Sequence, residues 1–100
     1  MNKRILSLED IVTLVRPLAE RYNAKELYLF GSYARGEADE NSDLDFLVIG
    51  GDKFKLTNVF ALGEELREAS QKNVDIFEIH EINQDSELYK TIMQDRILIV

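Results

Sequence analysis

Two aspartates, Asp43 and Asp45, open an apolar run that extends to Ile49, and a third, Asp75, is set inside Val74-Asp75-Ile76-Phe77. Charged groups seldom sit in such stretches unless they are paired or bound to a metal. The fold must therefore bury the apolar residues of both runs and still find a place for three carboxylates. Both runs read as strands, Asp43–Ile49 and Val74–Ile79. Residues two apart on a strand leave the same face, so Asp43 and Asp45 project together. Between the strands, Lys55–Ser70 reads as a helix with Leu56, Val59, Phe60, Leu62, Gly63 and Leu66 as its inner face. That helix is long enough for a right-handed parallel crossover. Parallel pairing would bring Asp75 beside the Asp43/Asp45 face.

The rest of the chain alternates in the same way. Ser7 and Asp10 resemble a capping box, with Asp in place of Glu or Gln. Ile11, Leu14, Val15, Leu18, Ala19 and Tyr22 then recur at helical spacing. Pro17 is expected to kink that helix or split it in two. Leu27–Phe30 is a buried strand that ends at Gly31, and Gly31–Ser42 is a loop with one short helical turn. Asp85–Asp95 reads as helix and Arg96–Val100 as a closing strand, an α-β-β-α-β-α-β order. One hundred residues, 45% of them hydrophobic and 31% charged, suit a single globular domain spanning residues 1–100.

Several chemistries are excluded. There is no Cys, and His80 is the one His, so cysteine nucleophiles, disulfides and ordinary zinc sites are out. The formal net charge of −7 disfavours direct binding of nucleic acid, which needs a basic face. Lys3 and Arg4 are followed by too few apolar residues for a secretion leader. No apolar run approaches the ~18 residues of a membrane span. The expected location is the cytoplasm.

Gly31-Ser32, running from a strand into a helical turn, makes a phosphate cradle. Gly lets the backbone approach a ligand closely, and the free N–H groups of the turn face an anion. Ser32 adds a hydroxyl and Arg35 a nearby cation. The acid pair suits Mg²⁺, which takes one or two carboxylates plus substrate phosphates. With Asp75 added, three carboxylates face the cradle, the arrangement for two-metal phosphoryl or nucleotidyl transfer.

Phe30-Gly31-Ser32-Tyr33-Ala34-Arg35-Gly36, followed by Ser42-Asp43-Leu44-Asp45 and a later Asp75, resembles the DNA polymerase β-like nucleotidyltransferase superfamily. The length and motif are similar to its minimal nucleotidyltransferases, antitoxin-like proteins found beside HEPN-domain partners. The resemblance implies a two-layer α+β palm with a mixed sheet. It implies Asp43, Asp45 and Asp75 as ligands of two Mg²⁺ ions, with Asp75 also activating the attacking hydroxyl. It implies Gly31 and Ser32 as holders of the β- and γ-phosphates of a nucleoside triphosphate such as ATP. The implied activity is transfer of AMP to a tyrosine of a HEPN toxin within a hetero-oligomer.

Blander roles suit other residues. Ser42 reads as a turn or cap residue, Tyr33 as packing or surface, His80 as the cap of a strand end, and Glu37, Asp39 and Glu40 as a solvated loop. Two alternatives accompany the enzyme reading. One is a binding module that blocks its partner by occupancy. The other is transfer to a small molecule such as an aminoglycoside, which is disfavoured because a chain of this length has no helical domain to hold that acceptor.

Overall fold

The structure, a computed structural model, describes residues 4–100. Lys3, part of the segment read for a leader, lies outside them. Helix α1 (Leu8–Arg21) begins with the expected capping box. The Asp10 N–H donates to the Ser7 hydroxyl at 3.0 Å, and the Ser7 N–H donates to the Asp10 carboxylate at 3.0 Å. The helix is one piece through Pro17, not two. The N–H that proline lacks would have met the carbonyl of Thr13, and both residues are exposed, so water can serve that carbonyl.

Four strands follow: β1 (Ala24–Phe30), β2 (Leu44–Gly50), β3 (Val74–Glu78) and β4 (Ile97–Leu98). They form one mixed sheet in the order β3-β2-β1-β4. β1 is antiparallel to β2 and to β4, whereas β2 and β3 are parallel, joined by helix α3 (Leu56–Ser70). Several boundaries differ from expectation, among them those of β4, which spans only Ile97–Leu98. β1 starts three residues early, at Ala24. β2 starts at Leu44, leaving Asp43 one residue ahead of it. The chain leaves β3 after Glu78, whose side chain caps a 3₁₀ turn at Ile79–Glu81.

Side-chain alternation divides the sheet's two faces. Leu27, Leu29, Leu44, Phe46 and Val74 join Ile11, Val15 and Ala19 of α1 and Leu62 and Leu66 of α3 in the main core. The opposite face is smaller: Phe30 and Leu47 pack with Ile82 and with Ile92 of helix α4 (Glu87–Asp95). The inner face of α3 is narrower than its sequence suggests. Val59, Leu62, Gly63 and Leu66 are buried, but Leu56 and Phe60 are exposed. Those two lie on the flank of the helix, where the edge strand β3 is too narrow to cover them. A Cβ at Gly63 would come to 3.1 Å from the Ile76 side chain, which would have to shift by a few tenths of an ångström.

Phe46 is fully buried in the centre of β2. Phe46→Ala should cost about 3–5 kcal/mol, from lost transfer energy and the cavity left behind. Urea unfolding of both proteins measures this, and a cost below about 1 kcal/mol would mean that the core closes over the gap.

Candidate active site

Strand register assembles the site. In the parallel β2/β3 pair Asp45 stands opposite Asp75, and in the antiparallel β1/β2 pair Asp45 stands opposite Phe30. Gly31 follows Phe30 directly, so three strands meet at Asp45. The contact with Gly31 is close: a Cβ there would collide with the Asp45 carboxylate. The Gly31 φ of +77° is also one that L side chains rarely adopt. Glycine is thus required here on two independent grounds.

Asp43 reaches the same place by a different device. The Ser42 hydroxyl accepts from the Asp39 N–H at 2.9 Å and donates to the Asp39 carboxylate at 3.2 Å. That carboxylate also accepts from the Asn41 N–H at 2.8 Å. The tight turn delivers Asp43 to the head of β2, which confirms Ser42 as a turn residue and gives Asp39 in the acidic loop a structural task.

The electrostatics of the cluster are unbalanced. Asp45 is half-buried, and its pKa is pushed up from 3.8 to about 6. Burial is the largest cause, followed by the negative charges of Asp75 and Asp43 and a side-chain hydrogen bond with Asp75. Arg35 opposes this, but more weakly. Asp75 is exposed, so one side of the cluster is open to ligands. Among the described residues, no three acids or imidazoles are drawn together tightly enough to hold a metal ion by themselves. The donors nonetheless fit Mg²⁺: all are hard oxygens, they repel one another without a cation, and Mg²⁺ needs only one or two protein carboxylates when phosphates supply the rest.

The other expected residues fall nearby. Helix α2 (Ser32–Arg35) is one turn long, and its first N–H groups have no helical partners. The Ser32 carbonyl accepts from the Glu37 N–H at 2.9 Å, and the Ser32 hydroxyl makes no hydrogen bond among the described residues. Tyr33 is buried as packing, with the Lys72 ammonium 6.0 Å from its ring centre. The Arg35 guanidinium, expected near the phosphates, is engaged by Glu37 at 2.7 Å and by Asp95 at 2.6 Å. Asp95 escaped the sequence reading, although an acid in the last turn of a helix, where the dipole disfavours it, is a legible signal. His80 sits just past β3 with its Nδ1 2.7 Å from Glu78, away from the acids in register.

Carboxylates on adjacent strands thus lie against a glycine-opened turn with free N–H groups. The chain matches the nucleotidyltransferase domain family over residues 11–99 and belongs to that family. It is 31% identical over 99 residues to the protein adenylyltransferase MntA of Thermococcus cleftensis, covering 95% of this chain and 98% of that protein. A solved structure assigned as a minimal nucleotidyltransferase superposes with a TM-score of 0.75 at 30% identity, over 92% of this chain and 95% of that one. A chain in the structure of a tri-AMPylated Shewanella oneidensis HEPN toxin in complex with MNT antitoxin shares the fold, with a TM-score of 0.62 at 21% identity, over 92% of this chain and 67% of that one.

The raised pKa of Asp45 sets a stability profile. The folded state holds the proton more tightly than the unfolded state does. This contribution is complete below about pH 4 and is lost as the pH rises through about 6. Asp45→Asn removes the loss. The variant should be more stable than the parent by about 1–2 kcal/mol near pH 7.5, after allowance for water screening at this half-exposed site. The gap should close as the pH falls below about 4. Urea unfolding at a series of pH values checks both limits, and a constant gap would place the strain elsewhere.

Proposed function

We propose that this protein transfers AMP from ATP to a hydroxyl, most simply that of a tyrosine, on a HEPN-type toxin, and so acts as its antitoxin. The observation that carries the reading is the Asp45–Asp75 register with Gly31 pressed against Asp45. Membership of the nucleotidyltransferase family supports the chemistry. The relative named as a protein adenylyltransferase, of nearly the same length, supports the acceptor class. The fold shared with an antitoxin bound to an AMPylated HEPN toxin supports the partner.

Each residue then has a task. Asp43, Asp45 and Asp75 would hold Mg²⁺, which when bound would neutralise charge on the triphosphate. The turn at Gly31-Ser32 holds the β- and γ-phosphates through backbone N–H groups and the Ser32 hydroxyl. Asp75, exposed at the start of the edge strand, faces the side from which another protein can approach. It takes the proton of the acceptor hydroxyl. The acceptor oxygen bonds to the α-phosphorus, the bond from that phosphorus to the bridging oxygen breaks, and pyrophosphate leaves. The net charge of −7 favours association with a basic, RNA-cleaving partner.

Incubation with ATP, Mg²⁺ and the HEPN protein should add the mass of AMP to the partner, as read by mass spectrometry. Asp43→Asn and Asp75→Asn should each suppress the addition, for Asp75 by about 10²–10⁴-fold as for a general base. If Asp43→Asn silences the toxin as well as the parent does and no mass is added, the protein acts by occupancy instead.

The phosphate turn has its own test. Gly31→Ala should abolish ATP binding, because its Cβ displaces the Asp45 carboxylate. Ser32→Ala should weaken binding by only about 0.5–1.5 kcal/mol, the usual worth of one hydrogen bond. Calorimetric titration with ATP and Mg²⁺ separates the two, and unchanged affinity in both would move the phosphate site elsewhere.

A further inference from the structure

We propose that Arg35 is a positioning residue, a strut that fixes α2 and the Gly31-Ser32 turn to the end of α4, and not a ligand of the phosphates. The inference rests on the transferase reading and assigns one further residue, Asp95, to its machinery.

The geometry of the guanidinium is the first ground. Its Nε donates to Glu37 at 2.7 Å and its Nη1 to Asp95 at 2.6 Å. Two sides of the planar fork are thus engaged by different carboxylates. These bonds hold two of its five N–H donors and fix the direction in which the fork points.

Asp95 is the second ground. It is the last residue of α4, and only 11% of its side chain is exposed. A helix C-terminus carries partial negative charge, so the dipole disfavours a carboxylate there. Burial disfavours it further. Arg35 offsets both, as the ion-pair partner of Asp95 among the described residues.

The third ground is that α2 needs a strut. A four-residue helix has too few internal hydrogen bonds to hold its own place. Beside Ala34, which packs against the main core, Tyr33 and Arg35 attach it laterally. Tyr33 is buried on one side, where its hydroxyl accepts from the Leu6 N–H at 3.5 Å. Arg35 reaches α4 at the other end. Gly31, at the head of α2, already abuts the Asp45 carboxylate. A small shift of α2 therefore alters the gap between phosphate turn and acids, and misplacement by about 1 Å can cost on the order of 10²-fold in rate.

The test compares Arg35→Gln, Arg35→Lys, Asp95→Asn and the Arg35→Gln/Asp95→Asn double variant. Calorimetry gives affinity for ATP–Mg²⁺, a discontinuous assay gives AMP transfer to the HEPN partner, and thermal unfolding gives stability. The expected result is a loss of transfer of roughly 10- to 100-fold in Asp95→Asn. ATP affinity should also fall, to the same extent in Arg35→Gln and no further in the double variant. Arg35→Lys should not rescue either quantity. Unchanged affinity and rate in Asp95→Asn, beside a loss in Arg35→Gln, would overturn the proposal and make Arg35 a phosphate ligand. Should Asp95→Asn fail to fold, Arg35→Lys decides. An ammonium can meet a phosphate but cannot span two carboxylates, so retained ATP affinity overturns the strut and lost affinity supports it. Failure of the transferase reading looks different: the parent protein binds no ATP–Mg²⁺, while Arg35 and Asp95 stay coupled in the unfolding cycle.

Discussion

The parallel pairing of β2 with β3 sets Asp45 opposite Asp75, and the proposed chemistry depends on that register. A slip of one residue would send Asp75 to the helix-covered face and bring Ile76 out in its place. Packing prevents the slip. Leu44 and Phe46 on β2 and Val74 on β3 are buried under α1 and α3, and the partly buried Ile76 packs against the same core. The apolar residues thus fix the place of the carboxylates between them, and stability on one face determines geometry on the other.

That second face explains why the pKa of the Asp45 carboxyl is pushed up so far. Phe30 and Leu47 flank Asp45 there, and with Ile82 and Ile92 they form a small apolar cluster of their own. Water is partly excluded from Asp45, and burial is the largest cause of its raised pKa. The same exclusion lowers the local dielectric constant, so a cation placed against Asp45 would be held more firmly than at an open surface. A carboxylate that is uncomfortable alone is for this reason a better ligand.

Much of this was legible in the sequence. The alternation in Leu44-Asp45-Phe46-Leu47 and Val74-Asp75-Ile76-Phe77 marks two faces, and the span of α3 between them implies parallel pairing. Gly31-Ser32 and Asp43-x-Asp45 then locate the site. What escaped is what depends on partners distant in the chain. Arg35 and Asp95 are sixty residues apart, and their pairing at 2.6 Å follows from the docking of α4, which no local pattern encodes. Leu56 and Phe60 keep helical spacing with the buried stripe, but whether a flanking position is covered depends on the width of the sheet beneath it. Pro17 ought to break a helix; it does not because the carbonyl it leaves free is on the wet side.

The overall charge bears on how a nucleotide would reach the site. A chain of net charge −7, with three of its carboxylates gathered at its site, repels a free triphosphate at long range. The backbone N–H groups of one short turn act only at contact and cannot overcome that repulsion by themselves. Arg35 cannot do so either, since Glu37 and Asp95 already take up its charge. On the transferase reading, the nucleotide must therefore arrive with a cation that belongs as much to its phosphates as to the aspartates. On the same reading the acids would act as a filter, rejecting the bare polyanion and accepting its metal complex, and the same negative charge would draw in a basic acceptor protein.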